Sequence, residues 1–198
     1  MPITTVLLDA DGVIQGSVHM LDAMRDALGG RATLRDLWDV EHPTITGKVD
    51  LRESLEVFVA ERRIPTSVDG LLDIWLSVRP IPGAMDLVDA VRARGVRVYL
   101  ATNQQPIRGA HMQANLGYER HFDGGYYSFE LGVAKPDVAF FAHIIADLDA
   151  DASATLFVDD MAENVEGARS AGLVAHWHDR DNGLPGLAAI LRGHGVLD

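Results

Sequence analysis

The sequence predicts an open α/β fold, a parallel sheet with helices on its faces, carrying a small helical insert near its N-terminus. From Pro80 onward, short apolar runs alternate with helix-length amphipathic stretches. Strands separated by helices need crossover connections, and hence parallel pairing. Between about Val18 and Arg79, helical stripes appear without a convincing strand. Three of the strand ends carry residues with chemistry to offer: Asp9 and Asp11, then Thr102 and Asn103, then Asp159 and Asp160.

The first strand is the apolar run Ile3 to Leu8. It leads into Asp9 and Asp11, and Gly12 then allows a sharp turn. In the insert, Leu21, Met24 and Leu28 share one helical face. Leu51, Leu55, Phe58 and Val59 share another, behind the capping pair Asp50 and Glu53. Leu71, Leu72, Trp75 and Leu76 form a third. After Pro80, Leu87, Val88 and Val91 mark a helix stopped by Gly95. Val96 to Leu100 is a strand, and a helix follows it to about Leu116 and Gly117. The stretch GYERHFDGGYY, residues 117–127, reads as a loop entering a weak strand, Tyr126 to Ser128, and shows no assignable chemistry. Pro136 and Asp137 open a helix through Phe141, Ile144, Ile145 and Leu148. Thr155 to Val158 is a strand, Ala162 to Ala171 a helix closed by Gly172, and Leu173 to Trp177 a strand. Gly186 to Leu191 completes the series as a helix. The expected division is a core of residues 1–15 and 80–198 and an insert of residues 16–79.

Composition narrows the function. The chain has 198 residues, 47% apolar and 23% charged, with a net charge of -12. An acidic surface argues against non-specific nucleic-acid or anionic-membrane binding. The chain contains no cysteine, so disulfides, thiolate catalysis and cysteine-ligated zinc are excluded. No basic leader precedes the first strand and no apolar stretch is long enough to span a membrane, so a cytoplasmic protein is expected.

Ligands of open α/β sheets sit beyond the carboxyl ends of the strands. Convergence there would crowd as many as four carboxylates, which repel and protonate unless compensated. A hard divalent cation on oxygen ligands suits Mg²⁺, and Lys135, in the loop GVAKPD, adds a further positive charge. Such a pocket fits a phosphoryl group. Asp9 can attack phosphorus, and Asp11 can move the proton. Crowding pushes the Asp11 carboxyl up, while a cation opposes this.

DADGV at Asp9–Val13, TN at Thr102–Asn103, KP at Lys135–Pro136 and DD at Asp159–Asp160 resemble, in order and spacing, the four motifs of the haloacid dehalogenase-like superfamily. The resemblance covers nearly the whole chain. It implies a Rossmann-like core with a small α-helical cap inserted between the first two motifs. It also implies an enzyme, a Mg²⁺-dependent phosphatase acting on a small phosphorylated metabolite. By this resemblance Asp9 is nucleophile and metal ligand, and Asp11 is general acid and base with its main-chain carbonyl on the metal. Thr102 and Asn103 bind phosphate, and Lys135 steadies nucleophile and phosphate. Asp160 is the direct acidic ligand, with Asp159 beside it reaching the metal directly or through water. Many members carry an aspartate four residues after that ligand; here the position is Asn164, so the metal would feel one negative charge fewer.

Rival functions on the same motifs are a phosphosugar mutase, a 2-haloacid dehalogenase and a non-catalytic binding protein. The last would typically lack Asp9 or Lys135, and dehalogenases of the superfamily lack an acid at the position of Asp11. Lys48, in TGKVD, reads as a solvated loop residue rather than a Schiff-base lysine. His176 and His178 read as packing and surface residues. His19, Trp38 and His42 lie in the insert without an assigned role.

Overall fold

Five parallel strands pair in an order that gathers the polar strand ends. The computed structural model describes residues 1–17 and 19–198; Val18, at the edge of the expected insert, lies outside the described residues. The chain begins with β1 (Thr5–Leu8), β2 (Gln15–Gly16), α1 (Met20–Leu28), α2 (Leu34–Glu41), α3 (Leu51–Arg62), α4 (Val68–Trp75) and β3 (Arg79–Pro80). It continues through α5 (Ala84–Arg92), β4 (Arg97–Thr102), α6 (Pro106–Asn115), β5 (Gly124–Tyr127), α7 (Ser128–Leu131) and α8 (Val138–Asp147). It closes with β6 (Thr155–Asp159), α9 (Ala162–Ser170), β7 (Val174–Trp177) and α10 (Gly183–Gly193). The sheet order is β5-β4-β1-β6-β7, every pairing parallel. β1 therefore stands between β4 and β6, at the switch point where a crevice opens beyond the carboxyl ends. This is the α/β, Rossmann-like architecture expected.

β1 is buried on both faces, as a central parallel strand must be. Val6 and Leu8 meet Val98, Leu100, Leu156 and Val158 beneath α5 and α10. Leu7 points the other way, to Phe157, Phe140, Phe141 and Ile144. Each such side chain contributes roughly 1.5–3 kcal/mol on burial.

Helices α1 to α4 enclose a third apolar cluster that includes Met24, Leu37, Leu55, Phe58, Leu71 and Trp75. Three of these helices carry the stripes read from the sequence, except that Leu21, expected on the inner face of α1, is exposed. The fourth, α2, carries one too, Leu34, Leu37 and Val40, of which only Leu37 is fully buried, and the sequence reading passed over it. Its local signal is a capping box: Asp36 N–H donates to Thr33 Oγ1 at 3.2 Å and Thr33 N–H to Asp36 Oδ2 at 2.8 Å. The four helices are bracketed by an antiparallel ribbon in which Gln15 faces Pro80 and Gly16 faces Arg79. Two residues per strand are too few to show a period of two, so the sequence held no sign of it. Strand β5 begins at Gly124, earlier than expected, because its glycines pair with Tyr99 and Leu100 through backbone alone. The last helix is likewise longer than its apolar residues suggested. Among the described residues no helix is long and apolar enough to cross a membrane.

Close approaches lock the layers. A Cβ on Gly47 would lie 2.6 Å from the Phe129 carbonyl oxygen, and Ser128 Oγ donates to the Ile45 carbonyl at 2.6 Å. The four-helix segment thus rests on α7. A Cβ on Gly167 would lie 2.1 Å from the Pro136 carbonyl oxygen, so α9 packs directly on the loop that carries Lys135. Alanine normally favours a helix over glycine by about 1 kcal/mol, but this collision is with backbone and outweighs that gain. Gly167→Ala is expected to lower stability by about 1–3 kcal/mol, read as a lower urea midpoint at unchanged slope.

Candidate active site

The site begins where β1 ends. Asp9 N–H still donates to the Val158 carbonyl at 3.0 Å, which fixes the residue against β6. The chain then folds back, with the amides of Val13, Ile14 and Gln15 all donating to the Ala10 carbonyl. Gly12 takes φ +76°, and a Cβ there would sit 2.5 Å from Asp160 Oδ2. Only glycine lets this turn close over the third acid.

Lys135 stands at the centre. Its Nζ donates to Asp9 Oδ1 at 2.7 Å and to Asp159 Oδ2 at 2.6 Å, and its side chain is 1% exposed. Asn103 braces it from the end of β4: Nδ2 donates to the Lys135 carbonyl at 2.9 Å, and Lys135 N–H donates to Asn103 Oδ1 at 2.9 Å. Asp159 is fully buried and accepts from the Met161 amide at 2.7 Å and from Asn164 Nδ2 at 3.0 and 3.1 Å. Asp160 pairs with Arg180, and its carbonyl accepts from the Trp177 indole at 2.8 Å. Asp9, Asp159 and Asp160 each offer a carboxylate oxygen, all within 4.8 Å of one another. Asp9 Oδ2 accepts no hydrogen bond among the described residues.

Charge crowding acts as expected on two of these acids. Burial pushes the Asp9 carboxyl up to about 7, with Asp159 and Asp11 adding to the rise against the pull of Lys135. Burial, helped by Asp159, also raises Asp160 despite Arg180. Burial alone would lower Lys135, but its two carboxylates reverse this and hold it charged.

Asp11 behaves differently. Its carboxylate is turned away from the acidic cluster into a fork with Arg108, Nη2 to Oδ1 at 2.6 Å and Nη1 to Oδ2 at 2.8 Å. Gln104 Nε2 adds a bond to Oδ2 at 2.8 Å and Gln15 Nε2 one to Oδ1 at 3.1 Å. Burial pushes this carboxyl up, but Arg108 and the two amides outweigh it and the net shift is downward. The sequence pointed to crowding as the upward influence; it gave no sight of Arg108, because a lone arginine in a helix is ordinarily exposed. Gln104 also donates to Thr102 Oγ1 at 3.1 Å, and Tyr118 Oη donates to Gln15 Oε1 at 2.7 Å. The stretch 117–127, without apparent chemistry in the sequence, thus reaches the site through Tyr118.

The four-helix segment contributes Glu41, which sequence reading did not single out. Burial pushes its carboxyl up to about 7, against the opposing charge of Arg108. A cleft of about 680 Å³ runs between the His42–Lys48 stretch and the Gly132–Asp137 loop, and touches Lys135. His42 and Lys48 line it; Trp38 is exposed. His176 lies 3.4 Å from His194. His178 is buried with neither ring nitrogen hydrogen-bonded, and neither histidine joins the acidic cluster.

A family model described as haloacid dehalogenase-like hydrolase matches residues 3–172. The chain belongs to the haloacid dehalogenase-like hydrolases. It is similar to the sesquiterpene phosphatase astK of Aspergillus oryzae, 37% identical over 98 residues, 49% of this chain and 50% of that protein. It is also similar to a phosphatase of Mycobacterium tuberculosis, 32% identical over 133 residues, 63% of this chain and 61% of that one. The matches thus span about half to three fifths of these two relatives. In fold, this haloacid dehalogenase-like chain resembles a HAD family enzyme of Bacteroides thetaiotaomicron solved with magnesium and inorganic phosphate. That likeness has a TM-score of 0.76 at 20% identity and covers 90% of this chain and 95% of the other.

The central lysine separates two substitutions that look alike on paper. Lys135→Met leaves two buried carboxylates without their shared cation and is expected to cost roughly 3–5 kcal/mol. Asp9→Asn removes one buried charge and leaves Lys135 paired with Asp159, so its stability should equal or exceed the parent's at pH 8 without metal. Chemical denaturation of both variants checks the contrast.

Proposed function

We propose that this hydrolase is a Mg²⁺-dependent phosphatase that cleaves a small phosphate monoester through an aspartyl-phosphate on Asp9. One observation carries the reading: Asp9 holds one oxygen on Lys135 and leaves Oδ2 free of hydrogen bonds, beside Asp159 and Asp160 and two residues before Asp11. Two relatives that are themselves phosphatases support it. Asp9 Oδ2 attacks phosphorus and the ester oxygen departs with a proton from Asp11, which must first leave the Arg108 fork and take that proton up from solvent, because the fork holds it ionised. Water then attacks the same phosphorus, gives its proton to Asp11, and frees Asp9 and phosphate. Lys135 offsets negative charge throughout. The Thr102 hydroxyl, at the end of β4, serves the phosphate. The Asn103 side chain is engaged by Lys135, so a contact of Asn103 with phosphate would use its main-chain amide.

The donor set fits Mg²⁺. It is all oxygen, with three carboxylates within reach of one another, as a hard cation requires. Asp9, Asp160 and the Asp11 main-chain carbonyl would hold the ion. Asp159, saturated by Lys135, Asn164 and the Met161 amide, orients the site from behind. The metal supplies charge neutralisation at the phosphoryl oxygens.

The proposed organisation is a catalytic core of residues 1–15 and 80–198 and a cap of residues 16–79. The cleft beside Lys135 would receive the ester's organic part, of sugar phosphate, phosphoglycolate or nucleotide size, in a cytoplasmic setting. A phosphosugar mutase would share this machinery. A dehalogenase would have no use for Asp11, because halide leaves without a proton.

Released phosphate, measured across a panel of phosphorylated metabolites with Mg²⁺, tests the reading. Activity should vanish with EDTA and in Asp9→Asn, and fall in Ca²⁺, whose looser coordination misplaces Asp9. Chloride release from 2-chloropropionate, with no phosphate from any ester, would overturn it. Metal should also appear in stability. The Asp9 carboxyl has a folded value of about 7 against 3.8 ordinarily. Its neutral form therefore favours folding fully below pH 3.8, and this contribution is lost as pH rises through 7. A bound cation offsets that loss, so the Mg²⁺-induced rise in melting temperature should be larger at pH 8 than at pH 5.

A further inference from the structure

We infer that His176, His178 and His194 form a second metal site, one for Zn²⁺, apart from the acidic cluster. Two of the three stand two residues apart at the end of β7. His176 pairs with Val158 in the ladder, and His178 N–H donates to the Asp159 carbonyl at 2.8 Å, so the chain stays extended through both. Side chains two apart on an extended chain face the same way. Both line one cleft of about 580 Å³ beside α10. The third imidazole comes from the far end of that helix, 18 positions after His176. His194 caps α10, and its backbone is fixed there by donation from its N–H to the Ile190 carbonyl at 3.1 Å. Its Nε2 lies 3.4 Å from His176 Nδ1. That gap is long for a hydrogen bond, where an N–H donor prefers about 2.9–3.0 Å. It matches two nitrogens on one tetrahedral zinc, which stand about 3.3–3.4 Å apart when each Zn–N bond is about 2.0–2.1 Å.

His178 supplies an independent sign. Its ring is 1% exposed, with neither nitrogen hydrogen-bonded. A neutral imidazole has one donor and one acceptor nitrogen, and leaving both unmet in the interior is costly. Ligation satisfies the acceptor. His176 and His194 are spaced for an ion as they stand, and His178 joins them by rotation about its side-chain torsions. Three imidazoles with water in the fourth position are a recurrent zinc donor set. Imidazole selects a transition ion, whereas the carboxylates of the active site select a hard one, so the two sites do not compete for the same metal. The C-terminal end of α10 favours a cation through the helix dipole. Burial, with His176 beside it, holds His194 below its ordinary value, neutral and able to ligate. The site shares no residue with the acidic cluster and does not depend on the phosphatase reading.

The experiment titrates Zn²⁺ into the full chain with Mg²⁺ in excess, by calorimetry and by NMR of the imidazole signals. The wild type is compared with His176→Ala, His178→Ala, His194→Ala and, as a control, His143→Ala, an exposed histidine on α8. The wild type should bind zinc, and the signals of all three imidazoles should move together. Loss of His176 or His194 should weaken binding by more than the roughly ten- to hundredfold that losing an outer partner of a metal site costs. His178→Ala should weaken it at least about tenfold, and His143→Ala should leave it as in the wild type. Zn²⁺ should also raise the melting temperature of the wild type, and this rise should be absent in His194→Ala. Equal zinc affinity in the wild type and His194→Ala would overturn the inference, as would zinc binding that leaves the His176 and His194 signals in place; the ion would then sit on the acids. If His178→Ala does not fold, the His178 signal of the wild type decides its role. A His178 signal unmoved by bound zinc would overturn the three-histidine site.

Discussion

The rest of the site depends on one ammonium group held between two buried carboxylates. Lys135 Nζ touches both Asp9 and Asp159, and neither acid is tolerable there without it. Burial of ions is costly unless each is paired and its remaining atoms are hydrogen-bonded. Several features meet that condition together. The strand order sets β1 between β4 and β6, so Asp9 and Asp159 end side by side. Asn103 ties the lysine's backbone to the end of β4. Gly167 lets α9 close on the loop that carries the lysine, and Gly12 lets the first turn close on Asp160.

Two acids only two residues apart are driven in opposite directions. Asp9 is desolvated and crowded, and rises to about 7; Asp11 is forked by Arg108 and falls. Environments that split neighbouring titratable groups in this way are how one site assigns them different work. Without metal the split runs against the proposed roles, since Asp9 must be ionised to attack and Asp11 must gain a proton to donate one; a bound cation beside Asp9 and release of Asp11 from Arg108 would reverse it. The structural reason is the pleat followed by a tight turn: Asp9 continues the β1–β6 ladder, whereas Asp11 has already left it and faces α6.

The four-helix segment adds a second level of organisation. Its apolar cluster is its own, with Ile107 of α6 packed against it, and it rests on α7 through the Ile45–Ser128 bond and the Gly47–Phe129 approach. Its stability therefore comes from packing that does not involve the acids. A face that overlooks the site, from Glu41 to Lys48, can differ in side chains without disturbing the strand ends. Such a division suits the proposed roles, with chemistry in the core and choice of leaving group in the cap.

The sequence by itself determined the sheet, most helices and the identity of the acids. Periodicity within a strand or helix is a local property, and polar residues closing an apolar run are visible without knowing where that run goes. Asp9, Asp159, Asp160 and Lys135 were legible for that reason, and the structure does bring them together. Helix α2 was missed although Leu34, Leu37 and Val40 and its capping box were there to read, and the β2–β3 ribbon because two residues make no alternation. Only the tertiary structure decided the state of Asp11. Its partner Arg108 lies 97 positions away, on the first turn of a helix whose placement follows from the crossover between β4 and β5. The same holds for Glu41 and Tyr118. Charge pairing acts through space at a few ångströms, whereas sequence patterns report only neighbours along the chain. The acids could therefore be read from the sequence, but which of them would be raised and which lowered depended on the packing of α6 against the turn after β1.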